Sequence, residues 1–165
     1  MEIRILHTED ASVYQDIRLE ALKNHPEAFG SSYEEEVHFS IDVFNNRLMN
    51  KDNFTFGAFE KNQLVGVVTL IVEQKNKMKH RGNIVAMYVK PKYRGRGIAQ
   101  KLMKETINQA IMLKEIEQIY LAVVSGNEGA INLYQLLGFE IYGIDKKALK
   151  VNGIYYDEEL MVRFI

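Results

Sequence analysis

The chain has 165 residues, with 21 basic against 22 acidic side chains and no cysteine. A net charge of −1 argues against a general nucleic-acid partner, and the lack of cysteine excludes disulfides, thiolate metal ligands and thiol nucleophiles. The length suits one domain over residues 1–165. Since no leader-like segment opens the chain and no apolar run approaches about 18 residues, we expect a cytoplasmic protein without a membrane partner.

A strand and two helices are predicted in the first third of the chain. Alternating residues 2–7 indicate a strand, and Thr8 is the expected N-cap of a helix that ends before Pro26. Val13, Ile17 and Ala21 are expected to share one apolar face of this helix. Residues 27–39 have no clean period and are predicted to form a loop, which leads to a short helix capped by Ser40.

Turn signals and β-forming residues predict six further strands. These are expected over residues 54–60, 63–72, 83–89, 117–124, 139–148 and 154–164. Lys61-Asn62 and Asn152-Gly153 are two-residue connections typical of hairpins. Helices are expected over residues 97–113 and 127–137, and Gly138 ends the second. The order strand, helix, strand in the middle of the chain indicates one parallel pair.

An anion site is predicted in MYVKPKYRGRGIAQKLM, residues 87–103. A strand that enters a helix through a glycine-rich turn leaves the first helical N–H groups unpaired at the positive end of the helix dipole. Gly95 and Gly97 let an anion approach the backbone, and Arg94 and Arg96 add charged donors. Neither GxxxxGK[ST] nor GxGxxG is present, so a nucleoside-triphosphate cradle or a dinucleotide fold has no support.

Two segments of the chain resemble the hallmarks of one enzyme family. The pattern Arg94-x-x-Gly97-x-Ala99 resembles the pyrophosphate motif of the GNAT superfamily of N-acetyltransferases, and SGNEGAINLYQLLGFE, residues 125–140, resembles its second motif. The resemblance implies an α/β fold: a mixed, mostly antiparallel central sheet with about four helices. One parallel strand pair in that sheet is expected to splay apart and admit a cofactor.

The resemblance also implies acetyl-coenzyme A as co-substrate. The expected cofactor-binding residues are Met87, Val89, Arg94, Gly95, Arg96, Gly97, Ile98, Ala99, Asn127 and Tyr134. The pantetheine arm is expected to pair with the strand at Met87 and Val89, where a bulge would free an N–H for the thioester oxygen. Asn127 is expected to cap its helix and, by the resemblance, to contact the cofactor, and the two roles are compatible. Leu136 departs from the family, many members of which carry Lys or Arg there for the phosphate end.

Tyr134 is the candidate catalytic residue, because the family gives this tyrosine the role of general acid toward the departing thiolate. The alternative is plain core packing, since it shares an apolar helical stripe with its neighbours. The general base stays open, because the strand over residues 83–89 has neither Glu nor His. Deprotonation of the amine is expected to run through water or through one of the candidate substrate-side residues Glu34, Glu36, Tyr156 and Asp157.

The remaining charged residues give weaker signals. The acidic runs 34–36 and 157–159 are interpreted as solvated surface, with attraction of a cationic amine as the alternative. The four histidines show no metal-ligand spacing, so no metal is expected. The predicted function is transfer of an acetyl group to a primary amine of a small molecule or peptide, directly and in a ternary complex. The alternative is a non-catalytic acyl-coenzyme A sensor, and the sequence leaves room for a homodimer.

Overall fold

The computed structural model describes every residue from Met1 to Ile165. The strands are β1 Glu2–Ile5, β2 Asn53–Glu60, β3 Gln63–Val72, β4 Arg81–Val89, β5 Gln118–Val124, β6 Glu140–Val151 and β7 Ile154–Phe164. The α-helices are α1 Ala11–Asn24, α2 Tyr33–Glu36, α3 Ile41–Met49, α4 Ile98–Met112 and α5 Glu128–Leu136. Short 3₁₀ turns are formed by Thr8–Asp10, Pro26–Ala28 and Pro91–Tyr93.

All seven strands form one sheet in the order β1-β2-β3-β4-β5-β7-β6. Only β4 and β5 are parallel, and every other neighbouring pair is antiparallel. The predicted mixed sheet with one parallel pair is therefore confirmed. Both predicted hairpin turns are present, because Lys61, Asn62, Asn152 and Gly153 all have positive φ, as a two-residue type I′ connection requires.

Two hydrophobic cores cover opposite faces of the sheet. On one face α4 and α5 pack through residues such as Leu102, Met103 and Tyr134. On the other face α1 and α3 pack through residues such as Ile17 and Phe44. The cleft between β4 and β5 lies between these layers, so residues from both faces can reach it.

The start and the phase of α1 differ from the prediction. Thr8 begins a 3₁₀ turn, and the α-helix begins at Ala11, because the Asp10 carboxylate accepts hydrogen bonds from the His7 N–H at 2.9 Å and from Arg4 at 2.7 Å. Val13 is 42% exposed, so it does not share the buried face of Ile17 and Ala21. The buried stripe instead contains Ala11, Tyr14, Ile17, Ala21 and Leu22.

The segment predicted as a loop contains the short helix α2, which makes five helices where about four were expected. Its start is a capping box: the Glu35 N–H donates to Ser32 Oγ at 3.2 Å, and the Ser32 N–H donates to Glu35 Oε2 at 2.8 Å. The signal Ser-x-x-Glu for this box is present in the sequence at Ser32 to Glu35. Only one turn forms, which is too short to show a helical period.

Candidate active site

The parallel strands β4 and β5 separate to form a cleft. They are paired only along the first three residues of each strand, although both continue toward the same edge of the sheet. A cavity of about 750 Å³ lies at this opening. The splayed pair that the family resemblance implies is therefore present.

Many of the predicted site residues line this cavity, but not all of them. Those that line it are Met87, Val89, Arg94, Gly95, Ala99, Asn127, Tyr134 and Tyr156. Those that do not are Arg96, Gly97, Ile98, Glu34, Glu36 and Asp157. The first group brings the end of β4, the start of α4 and the helix α5 together around one space.

A bulge interrupts β4 beside the cleft. Val85 faces Thr69 and Tyr88 faces Val67, so β4 has one residue more than β3 between these pairs. Ala86 takes the strained conformation, with φ of +56°, which costs a residue with a Cβ about 1–2 kcal/mol. A bulge leaves a residue unpaired in the ladder. Met87, which follows it, lines the cavity.

The turn between β4 and α4 has a row of free backbone donors. The Arg94 N–H donates to Pro91 O and the Lys101 N–H donates to Gly97 O, while the N–H groups of residues 95–100 make no hydrogen bond. Gly95 and Gly97 both have φ of +74°, and no atom lies within 4 Å of where a Cβ would stand on either residue. This open row of donors at the N-terminus of a 15-residue helix suits an anion.

The two arginines of the turn are engaged with other parts of the protein. The Arg94 Nε donates to Val89 O at 2.9 Å, and its terminal nitrogen lies 2.9 Å from His25 Nε2. Arg96 forms a 3.4 Å ion pair with Glu60. The backbone N–H groups of residues 95–100, by contrast, have no partner in the protein.

Tyr134 lies at the side of the cleft, on α5. It is only 7% exposed, and its hydroxyl makes no hydrogen bond to another protein atom, since none of the side-chain hydrogen bonds includes it. Burial raises the pKa of Tyr134 to about 12. The hydroxyl is therefore protonated at neutral pH, and it is available as a donor to a group that enters the cavity.

Comparison with known proteins gives the family of this chain. The model of the acetyltransferase (GNAT) family matches residues 14–139. The L-amino acid N-acetyltransferase AaaT of Escherichia coli strain K12 is 30% identical over 98% of this chain and 98% of its own length. The chain belongs to the GNAT acetyltransferase family.

Two further members of the family are similar over most of the chain. Spermidine N(1)-acetyltransferase of Escherichia coli strain K12 is 27% identical over 77% of this chain and 66% of its own length. The structure of yncA from Salmonella typhimurium with its cofactor acetyl-CoA has a TM-score of 0.82 at 18% identity, covering 99% of this chain and 93% of that one. At this identity the structure supports the fold alone.

The second GNAT motif forms the helix α5 and its two ends. Asn127 is the N-cap, because its Oδ1 accepts a hydrogen bond from the Ala130 N–H at 3.3 Å. Gly138 follows the helix with φ of +84°, as a C-terminal cap requires. Leu136, the departure from the family pattern, is 73% exposed. It points into solvent and supplies no charge for a phosphate.

The acidic candidates divide into buried, paired and exposed groups. Glu36 is 1% exposed and is held by Arg18 at 2.7 Å and Arg47 at 2.9 Å. Although burial raises the pKa of Glu36, the hydrogen bonds from both guanidinium groups outweigh it and lower the pKa to about 2. This corrects the expectation of Glu36 as a substrate-side group, and it also corrects the interpretation of the run as fully solvated.

Asp157 and Glu34 lie outside the cavity lining as well. Asp157 accepts hydrogen bonds from Lys146 Nζ at 2.7 Å and from the Lys147 N–H at 2.8 Å, which lower the pKa of its carboxyl. Glu34 is exposed on α2. Tyr156 is thus the one candidate of the four that lines the cavity.

A segment that no sequence motif indicated also borders the cleft. His25, Glu27, Ala28 and Phe29 line the cavity, and their 3₁₀ turn contacts β5 and β6 on the far side of the opening. We call residues 25–29 the roof segment. It has no helical or strand period, so its position depends on contacts that are distant in sequence.

No helix of the protein is long and apolar enough to span a membrane. No group of three or more His, Cys, Asp or Glu side chains comes together in a way that could hold a metal ion.

Proposed function

We propose that this protein transfers the acetyl group of acetyl-coenzyme A to a primary amine, directly and within a ternary complex. The observation that carries the proposal is that the free N–H row, the β4 bulge and the Tyr134 hydroxyl border one cleft. Each of these three features suits a different part of an acyl-coenzyme A thioester: the diphosphate, the carbonyl oxygen and the sulfur.

The diphosphate fits the turn before α4. The residues that would hold it are those whose N–H groups are free, from Gly95 to Gln100, with the added charge of Arg94. The two glycines leave open space where side chains would stand, so phosphate oxygens can approach the donors. The pantetheine arm would follow β4 at Met87 and Val89, beyond the point at which β5 leaves the strand.

The β4 bulge supports activation of the thioester. Attack of an amine places negative charge on the carbonyl oxygen, and an N–H fixed by the protein stabilises that charge without reorganisation. Met87 follows the extra residue of the bulge and lines the cavity. We assign its N–H as the donor, because the bulge interrupts the ladder that would otherwise engage the backbone there.

Tyr134 would act on the leaving group. The pKa of its hydroxyl is about 12, whereas an ordinary thiol has a pKa of about 8.5. The buried phenol is thus the weaker acid of the two, which favours donation of a hydrogen bond over complete transfer of its proton. We therefore assign Tyr134 a hydrogen bond that stabilises the departing thiolate, with the proton arriving from the new amide nitrogen.

Direct transfer is the proposed route, since the chain has no cysteine to support a covalent thioester intermediate. The acceptor is a primary amine: similar proteins are described as acetylating L-amino acids and spermidine, and both carry such a group. The identity of the acceptor within this class, the cytoplasmic location and a homodimer stay predictions.

Acceptor profiling tests the proposal. The protein is incubated with acetyl-coenzyme A and a panel of amines that includes L-amino acids, spermidine and a lysine-containing peptide, and the acetylated amine is identified by mass spectrometry. Transfer to at least one amine is expected. Binding of acetyl-coenzyme A without transfer to any member would instead favour the sensor.

A further inference from the structure

A chain of three side chains crosses the roof of the cleft. The His25 Nδ1 lies 3.3 Å from Glu27 Oε1, and the His25 Nε2 lies 2.9 Å from the terminal nitrogen of Arg94. All three residues line the cavity. His25 is held by its backbone, because it is the C-cap of α1, donates its N–H to Ala21 O and precedes Pro26. The imidazole is therefore fixed at the cleft by both its main chain and its ring.

The contacts assign the tautomer of His25. A guanidinium group has only donors, so the Nε2 that faces Arg94 must present its lone pair. The proton of the neutral ring is then on Nδ1, where the Glu27 carboxylate accepts it. A histidine oriented by a carboxylate, with its other nitrogen unprotonated, is the arrangement of a general base.

We propose that His25 is the general base that deprotonates the amine acceptor, and that Glu27 is its positioning residue. The proposal rests on the N-acetyltransferase function proposed above. It supplies a group that β4 lacks, because no Glu or His occurs between Arg81 and Val89. A base is needed because an amine with a pKa near 10.4, as for lysine, is unprotonated in only roughly 1 of 2,500 molecules at pH 7.

Both protons that the ammonium nitrogen loses have an acceptor. His25 Nε2 takes one proton from the ammonium group, and the free amine forms the new C–N bond with the thioester carbonyl. The C–S bond then breaks, the second proton passes from nitrogen to the thiolate, and the thiolate accepts a hydrogen bond from Tyr134. The products are an N-acetyl amide and free thiol, and His25 releases its proton to solvent.

The contact with Arg94 makes the availability of His25 as a base depend on the binding of acetyl-coenzyme A. In the structure the Arg94 guanidinium contacts His25 Nε2, so this nitrogen is not free to take a proton from an amine. A diphosphate bound on residues 95–100 offers that guanidinium an anionic partner that can accept two parallel hydrogen bonds, which a single neutral ring nitrogen cannot. When Arg94 turns to the phosphate, Nε2 is released into the cleft. Acetyl-coenzyme A is thus expected to bind before the amine.

The groups around His25 fit this assignment. The Tyr88 ring lies beside the imidazole, with centroids 6.1 Å apart, and its hydroxyl is engaged by Glu20 and Asn24 of α1. Glu20 is in turn paired with Lys90. The 3₁₀ turn of the roof segment also contacts β5 and β6, and β6 carries Asp145 and Lys146 near its middle. Glu27 is the one carboxylate in direct contact with the ring.

Nitrogen-15 NMR of the histidine rings tests the tautomer and the coupling. His38 is exposed and makes no side-chain hydrogen bond, so it serves as internal reference. We expect the Nδ1–H form of His25 in the free protein and a shift of its Nε2 signal on saturation with coenzyme A, with His38 unchanged. An Nε2–H form of His25, or an unchanged Nε2 signal, would overturn the assignment.

Kinetics of His25→Gln test the base itself, with His38→Gln as the matched control. For a lysine-like amine at pH 7, we expect kcat/KM to fall about 100-fold in His25→Gln. For a weakly basic alkoxyamine, which is already unprotonated, the loss should be under about threefold. Glu27→Gln removes the carboxylate that contacts Nδ1, so we expect a smaller loss for the lysine-like amine and almost none for the alkoxyamine.

These experiments distinguish failure of the His25 assignment from failure of the proposed N-acetyltransferase function. The thermal shift given by acetyl-coenzyme A should persist in His25→Gln, which separates loss of the base from loss of donor binding. Equal losses for both amines would make His25 a structural residue, and wild-type kinetics would remove it from the reaction, while the N-acetyltransferase function stands in both cases. Failure of the wild-type protein to acetylate any amine would overturn both proposals.

Discussion

Tyr134 packs edge-on against Phe139, with ring centroids 6.1 Å apart and planes inclined by 63°. This contact holds the tyrosine ring in the core while its hydroxyl stays free of protein partners. The residue therefore combines the two readings available from the sequence, since its ring belongs to the core and its hydroxyl lies at the cleft.

Replacement of Tyr134 by Phe should affect the rate and leave the fold intact. A hydrogen bond to a charged group is worth about 1.5–3 kcal/mol, so we expect kcat to fall about 10- to 100-fold. Because the pKa of Tyr134 is about 12, the hydroxyl is protonated throughout pH 6–10 and the loss should be constant over that range. The measurement is a pH profile of kcat under conditions in which chemistry limits turnover.

The stability of this variant is a second readout. The hydroxyl has no protein partner to lose, so the Tm and the thermal shift by acetyl-coenzyme A should stay within error of the wild type. Tyr142→Phe, at an exposed tyrosine outside the cavity lining, is the control. An unchanged kcat in Tyr134→Phe would leave the residue with core packing alone.

Gly97 should be needed both for the left-handed backbone conformation of the turn and for binding of the anion. With φ of +74° and free space at the Cβ position, Gly97→Ala meets no clash but pays about 1 kcal/mol for the left-handed conformation. Gly97→Glu should also abolish the thermal shift by acetyl-coenzyme A, because a carboxylate repels phosphate. Gly30→Ala, at a glycine without positive φ and with open space, is the control; undiminished binding in Gly97→Glu would refute the phosphate site.

Glu36 should matter for stability and not for acceptor binding. Glu36→Gln leaves two arginines facing a neutral group, and loss of one partner from such a buried pair is expected to cost about 2–4 kcal/mol. Glu34→Gln, two residues away and exposed, should change stability by less than about 0.5 kcal/mol. Chemical denaturation measures both, and equal small effects would contradict the buried ion pair.

Because of the Glu36 carboxylate, we expect the protein to lose stability in acid. The folded-state pKa of Glu36 is about 2, below the ordinary value of 4.5, so the unfolded chain binds the proton more readily. The stabilisation is present above about pH 4.5 and is lost as the pH falls toward 2. In Glu36→Gln this part of the acid dependence should disappear, which a series of unfolding curves between pH 6 and pH 3 can check.

Ala86 should tolerate glycine better than its place in a strand suggests. Its φ of +56° is a conformation that glycine adopts without a Cβ penalty. We expect Ala86→Gly to raise the free energy of unfolding by about 0.5–1 kcal/mol and to keep activity. A loss of stability would indicate that the bulge is not populated in solution.

The parts of the fold that local chemistry determines were predictable from the sequence. The strand before Pro91, the glycine-rich turn and α4 follow one another without a spacer, and the Asn152-Gly153 turn fixes the last hairpin. The family motifs added the splay of β4 and β5, which periodicity alone does not give.

The failures depend on contacts between distant residues. Glu36 looked solvated because the guanidinium groups that hold it come from Arg18 and Arg47, 18 and 11 residues away. Val13 and Tyr14 stand four and three residues before Ile17, so both fit a helical face by spacing, and only packing against the sheet and α3 decides that Tyr14 is the buried one. The contact between His25 and Arg94 could not be predicted, because the two residues are 69 positions apart in the chain.

The most direct test of the proposed function is the release of free coenzyme A as a function of amine. The chain has no cysteine, so a thiol-reactive dye detects coenzyme A without any background from the protein. We predict release that requires an added primary amine and that equals the amount of N-acetylated product. Tight binding of acetyl-coenzyme A, with release no faster in the presence of amines than in their absence, would contradict the account and favour a sensor.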